Sequence, residues 1–239
     1  MVGINGAPMS FECVTFDAAG TLVDVRWDPV KIALEAAQRC GIQLDEQTAG
    51  EAYQRLLATR WGTFRTLNLQ RREDICNDFW YELGKDWLEK IGVDSARAKD
   101  VYDVGDAIVF SPDSGVFQLY EDSHDALDAV EKAGLRMAVI SNWDISLHRV
   151  LRMLGIYERF EVVVASLEEG VEKPDTKLFE ITLDRLGLPA DSCLHVGDDP
   201  LADGHGARSA GMSAVLIDRN AAHSDGTVIR SLGEIAAFL

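Results

Sequence analysis

"TFDAAGTL" (residues 15–22) closes an apolar run that begins at Cys13, and it delivers a carboxylate, Asp17, where that run ends. A short apolar run bounded by small and polar residues reads as a buried strand, and "CVTFDAA" is the first of five such runs in the chain. The others are "RMAVISN" (136–142), "EVVVAS" (161–166), "CLHVGDD" (193–199) and "SAVLID" (213–218). Helical patterns lie between them. Leu147, Val150, Leu151 and Leu154 recur at i, i+3, i+4 and i+7 on one face; Phe179, Leu183 and Leu186 do so after Pro174 and Asp175, with Gly187 as a stop. This alternation predicts an α/β fold, a Rossmann-like parallel-sheet core covered by helices on both faces.

One stretch breaks the alternation. Residues 26–112 read as helices throughout, so the expected organisation is a core of residues 10–25 and 113–239 with a helical insert of residues 26–112. Asp28 and Pro29 fit an N-cap and first helical position, residues 30–40 carry the helix, and Gly41 suits the left-handed residue after it. Further helices are expected from Asp45 past Leu57, around 74–90 and around 95–104. Trp27, Trp61, Trp80 and Trp87 fall in the insert, and a small core of its own is the favoured reading over substrate stacking.

A chain of 239 residues with 47% hydrophobic content can fill a substantial core. Its net charge of -17 repels nucleic acid and anionic membrane surfaces alike, which leaves small ligands as the expected partners. The N-terminal segment lacks a basic start and apolar run, Met9 is a candidate alternative start, and no stretch is long and apolar enough to span a bilayer. Cys13, Cys40, Cys76 and Cys193 are scattered, which fits a reducing cytoplasmic setting rather than a disulfide framework or zinc site. The sequence leaves the oligomeric state open.

Ligands of an open parallel sheet sit beyond the carboxyl ends of its strands. The residues due there are Asp17 from the first strand, Ser141 and Asn142 from the second, Lys173 after the third, and Asp198 and Asp199 from the fourth. Asp17, Asp198 and Asp199 brought together against Lys173 alone would leave uncompensated negative charge, each like pair costing a few kcal/mol at ~4 Å and effective dielectric ~20. A hard divalent ion answers that, with Mg²⁺ the natural candidate. His124, His148, His195, His205 and His223 show no ligand spacing, and His195 reads as a packed supporting group.

Four segments in order, "DAAGTLVD", "ISN", "EKPDTKLF" and "HVGDDPLADGHGARSAGM", resemble the motifs of the haloacid dehalogenase superfamily over nearly the whole chain. The insert resembles that family's α-helical cap. The resemblance implies Asp17 as nucleophile, Ser141 as the hydroxyl holding the transferred group, Lys173 as charge-stabilising cation, and Mg²⁺ bound by Asp17, the Ala19 carbonyl, Asp198 and Asp199. Asp203 matches a further acidic position of the last motif, and Thr21, Asn142, Arg60 and Arg65 are the candidate substrate contacts.

Ala19 is the departure. Family phosphatases carry a second aspartate there that moves the leaving-group proton, and a positioned acid or base contributes roughly 10²- to 10⁴-fold. The leading expectation is a phosphatase acting on a small anionic ester through an aspartyl-phosphate, weak on generic substrates. Phosphonoacetaldehyde hydrolase-like or 2-haloacid dehalogenase-like cleavage by Asp17, and a silent anion- and Mg²⁺-binding protein, are the alternatives. Lys31, Lys85, Lys90 and Lys99 read as exposed helical lysines rather than imine formers. Arg55, Arg60, Arg65, Arg71 and Arg72 lie in an acid-free stretch of the insert; they read as a solvated face, with recruitment of an anionic substrate as the sharper hypothesis.

Overall fold

The computed structural model describes residues 11–221 and 227–239; Met9 and His223 lie outside them. Six parallel strands form the main sheet in the order β5-β4-β1-β6-β7-β8: β1 (Cys13–Phe16), β4 (Arg136–Ser141), β5 (Val162–Ala165), β6 (Cys193–Gly197), β7 (Ser213–Ile217) and β8 (Val228–Ile229). Alternate residues of each strand face opposite sides. Val14, Phe16, Met137 and Val139 join a core with α5 (Ser123–Lys132) and α6 (Ser146–Met153), while Cys13, Ala138 and Ile140 pack on α8 (Thr176–Leu186) through Leu178, Phe179 and Leu183. All five strands expected from the sequence are present. β8 and a separate antiparallel ribbon, β2 (Val23–Val25) with β3 (Phe117–Leu119), are additions too short to show a periodic pattern.

Four helices occupy the interval between β2 and β3: α1 (Pro29–Arg39), α2 (Glu46–Asn68), α3 (Glu73–Lys90) and α4 (Ala98–Val109). Asp28 caps α1 by accepting from the Val30 and Lys31 N–H groups at 3.2 and 3.1 Å, and Gly41 takes the left-handed φ of +76° beyond it. Phe64 of α2 is buried among Trp61, Phe79 and Trp80, with ring centroids 4.9–5.3 Å away. The insert is tied to the sheet layer by few polar bonds. Buried Asn68, ending α2, accepts the Ile145 N–H at 2.8 Å, and Arg149 of α6 forks onto Asp106 of α4 with two bonds of 2.6 Å. Arg71 and Arg65 add ion pairs to Glu169 and Glu172. Among the described residues, no helix is long and apolar enough to cross a membrane.

Candidate active site

Strand order brings the first parts of the site together. β1 lies between β4 and β6; Asp17 follows β1 directly, Ser141 ends β4, and Asp198 follows β6 directly. The segment between α7 (Ser166–Glu169) and α8 contributes Lys173, and the single π-helical turn Pro200–His205 contributes Asp203. This is the point in an open sheet where neighbouring strands connect to opposite sides and leave a crevice.

Lys173 joins the parts. Its Nζ donates to Asp17 Oδ1 at 2.7 Å and to Asp203 Oδ1 at 2.5 Å, and the Ser141 hydroxyl donates to the same oxygen of Asp17 at 2.9 Å. Asp203 is anchored from behind. Its Oδ1 meets His195 Nε2 at 3.1 Å, its Oδ2 accepts the Asp199 N–H at 3.0 Å, and His195 Nδ1 meets the Thr15 hydroxyl at 2.8 Å. Two glycines leave room for the acids. A Cβ on Gly197 would fall 2.1 Å from Asp203 Cγ, and one on Gly20, whose φ is +80°, would fall 2.5 Å from Asp198 Oδ2.

The charges respond to this crowding. Burial pushes Asp17 up; the Lys173 charge opposes that and the Asp203 carboxylate adds to it. Burial and then Asp203 also push Asp198 up. Burial acts to lower Lys173, but Asp17 and Asp203 outweigh it and hold the ammonium above the ordinary lysine value. Asp203 goes the other way: burial acts upward, yet the His195 bond and the Lys173 charge hold it below the usual carboxylate range. One lysine therefore faces three carboxylates, whose oxygens lie within 4.8 Å of one another. Asp203 is already bonded on both oxygens, while Asp17 and Asp198 are the acids pushed up, by burial first and by the Asp203 carboxylate beside them. Their hard oxygen donors, with the carbonyl of Ala19 two residues after Asp17, fit a divalent cation such as Mg²⁺.

Several expected contacts are placed differently. Asp199 was expected among the metal-facing acids, but its Oδ1 caps the following turn by accepting the Leu201 and Ala202 N–H groups at 2.7 and 2.8 Å, and Asp203 takes the third place in the cluster. Thr21, expected to contact substrate, is fully buried and donates to Asp198 Oδ1 at 3.3 Å. Asn142 clamps the Lys173 backbone, its Nδ2 donating to the carbonyl at 3.0 Å and its Oδ1 accepting the N–H at 2.8 Å. Arg60 is paired with Asp86 inside the insert, away from the cluster, and Arg65 is paired with Glu172 at 3.1 Å. Arg55, Arg71 and Arg72 are paired too, with Glu51, Glu169 and Asp74, which favours the structural reading of the patch. His195 supports Asp203, as its strand position suggested.

Beside the cluster, between the insert and the sheet layer, lies a cavity of about 390 Å³. All five tryptophans of the chain, Trp27, Trp61, Trp80, Trp87 and Trp143, line it. Ala19, Asn142 and Glu172, chain neighbours of the reacting groups, line it as well, and none of Lys31, Lys85, Lys90 and Lys99 does. The sequence reading favoured packing over ligand contact for the indoles. Packing holds for Trp87, which is fully buried with its Nε1 donating to the Ala49 carbonyl at 2.8 Å and which also forms part of the cavity wall.

Comparison with known proteins agrees with this geometry. The family model of haloacid dehalogenase-like hydrolases matches residues 11–211. Haloacid dehalogenase-like hydrolase domain-containing protein 3 of Danio rerio is 29% identical over 234 residues, covering 95% of each chain. A phosphatase of Mycobacterium tuberculosis is 28% identical over 240 residues, covering 97% of this chain and 98% of its own. Among solved structures, the 2-haloacid dehalogenase of Pseudomonas syringae pv. Tomato superposes with a TM-score of 0.66 at 23% identity, over 95% of this chain and 97% of that one, a likeness of fold.

Proposed function

Because the chain belongs to the haloacid dehalogenase-like hydrolases, we propose that it is a metal-dependent phosphatase acting on a small phosphate monoester through an aspartyl-phosphate at Asp17, with residues 26–112 serving as the cap over residues 10–25 and 113–239. The carrying observation is the charge imbalance at the strand ends, three carboxylates against Lys173. A carboxylate that attacks a phosphate needs neutralising cations, whereas displacement of halide from carbon gains nothing from an acidic cluster. Relatives named as phosphatases point the same way.

In this mechanism the Ser141 hydroxyl and Lys173 hold Asp17 by Oδ1, and Oδ2 is the oxygen assigned to attack phosphorus. The bond from phosphorus to the ester oxygen breaks, and its electron pair leaves with that oxygen. Ala19 supplies no proton, so the leaving oxygen takes one from water. A second water then attacks the aspartyl-phosphate, releases inorganic phosphate and regenerates Asp17. Lys173 offsets charge on the transferring group, and Asp203, His195 and Thr15 act as positioning residues that hold it in place. Mg²⁺ bound by Asp17, Asp198 and the Ala19 carbonyl would neutralise the phosphoryl oxygens. A lysine-dependent imine route has no support, since no lysine lines the cavity among the described residues.

Phosphate release from a panel of monoesters, with and without EDTA, tests the reading. Release that stops with EDTA and falls by about 10³-fold or more in Asp17→Asn is expected for loss of a covalent nucleophile. Halide release from 2-haloacids that ignores EDTA, or silence on every ester, would overturn it.

A further inference from the structure

The cavity says what the ester carries. We propose, resting on the phosphatase reading above, that the aromatic cavity binds the uncharged leaving group of an aryl phosphate, the monoester of a phenol-type alcohol, in preference to alkyl leaving groups or ones that bear further charge. Size permits this: an apolar cavity of ~150 Å³ already holds benzene, and this one measures about 390 Å³. Chemistry favours it. Beyond its five indoles the wall includes Tyr53, Phe64 and Phe117, whose ring faces and edges suit a flat aromatic guest.

Charge narrows the choice further. Among the described residues the wall holds one cation, Arg65, already paired with Glu172 at 3.1 Å, against the carboxylates Glu73, Asp144, Glu172 and Asp106, the last of them forked by Arg149 from outside the wall. A leaving group bearing its own carboxylate or second phosphate would meet repulsion there, and an uncharged ring would not.

Ala19 supplies the independent argument. It stands in the family's proton-donor position and also lines this cavity. A phenol-type oxygen departs as an anion whose conjugate acid has a pKa of about 10, against about 15.7 for water and a similar value for simple alcohols. The aryl ester therefore reacts without the missing acid, whereas an alkyl ester pays the full loss. The indole-lined pocket and the absent carboxylate select the same substrate class.

The test compares 2-naphthyl phosphate with ethyl phosphate and phosphoserine on the full chain with Mg²⁺. It also titrates the intrinsic tryptophan fluorescence of Asp17→Asn with the non-hydrolysable 2-naphthyl phosphonate. The proposal expects kcat/KM about 10²-fold or more higher for the naphthyl ester and a saturable fluorescence change. Gly84→Phe should sharpen it, since Gly84 lines the cavity and nothing lies within 4 Å of a Cβ there. It should cut naphthyl kcat/KM about tenfold more than ethyl kcat/KM by filling the space. Ala19→Asp should raise the ethyl rate far more than the naphthyl rate. Phosphoserine or ethyl phosphate turned over as well as the naphthyl ester overturns this proposal and leaves the phosphatase reading standing. Silence on all esters with saturable fluorescence sinks the phosphatase reading and keeps the aryl-ligand assignment; a flat titration overturns the assignment.

Discussion

Asp203, in the cluster at the strand ends, and Asp144, in the cavity wall, are aspartates only partly alike. Burial acts upward on both. Asp203 takes bonds from Lys173 and His195 and ends below the usual carboxylate range. Asp144 accepts from the Ser146 N–H at 2.7 Å, which opposes burial without overcoming it, and ends above that range. Partners, more than depth, separate the two regions. The cluster is a network of ions in which each group fixes its neighbour, whereas the cavity wall is mainly apolar with four carboxylates among its lining residues. Such a division suits a reaction in which a charged phosphoryl group and an uncharged remainder must part.

The largest effect should come from removing the cation at the centre of the network. Lys173→Met leaves Asp17 and Asp203 facing each other without Nζ between them, and breaking a buried ion pair from one side typically costs about 3–5 kcal/mol. Thermal or urea denaturation should register that loss. Turnover should fall by about 10³-fold or more in the fraction that remains folded, because charge on the transferring group then goes unopposed. A variant that melted like its parent would mean that solvent compensates the two acids, and the contrast between cluster and cavity would dissolve.

The two regions also differ in how far the sequence foretold them. Asp17, Ser141, Lys173 and Asp198 were legible because each stands at the end of a buried strand or just before a helix, and parallel topology brings such ends together whatever the intervening chain. Asp199 and Asp203 were not separable. Both follow β6, and which one turns inward depends on a local choice: Asp199 caps the turn Pro200–His205, which frees Asp203 to reach Lys173 and His195. The cavity was illegible for a deeper reason. Its wall draws on α1, α2, α3, α4 and the segment after β4, and periodicity tells which helix face is apolar without telling whether that face meets another side chain or an open space. The arginine patch shows the same limit, since Glu169, Glu172 and Asp86 are remote in sequence from the residues they pair with.

A middle-sized effect should appear where the two regions are joined. Asn68 is fully buried; its Nδ2 donates to the Phe64 carbonyl at 2.9 Å and its Oδ1 accepts the Ile145 N–H at 2.8 Å. Asn68→Leu keeps the number and branching of side-chain heavy atoms and strands that N–H, a cost of about 1–3 kcal/mol for a buried unsatisfied donor. Asn68→Asp, which retains an acceptor for Ile145, should recover part of the loss at neutral pH. Equal losses in both would assign the effect to packing rather than to the bond across the junction.

The smallest effect tests the aspartate contrast itself. Asp144 is pushed up by burial, against the Ser146 bonds and with the Glu168 carboxylate adding to the push. The folded chain therefore retains a proton on Asp144 at pH values where the unfolded chain, with an ordinary carboxylate pKa of about 3.9, has released it. More protons bound in the folded state means that stability falls as pH rises through the interval between the ordinary value and the raised folded one. Above that interval the ionised group is a fixed burden. Asp144→Asn keeps an oxygen for the Ser146 N–H and removes the charge, so it should be more stable than the parent at pH 7–8 by about 1 kcal/mol, read as about 2–4 °C in Tm. The gap should close as the pH drops below about 4, where the unfolded carboxylate is protonated too. The matching exchange at Asp203 should go the other way, since a carboxylate held low by the His195 bond and the Lys173 charge contributes stability above its unfolded value and loses it only as the pH falls through the folded one. Opposite signs at the two positions would make partnership the variable that matters; the same sign at both would return the explanation to depth alone.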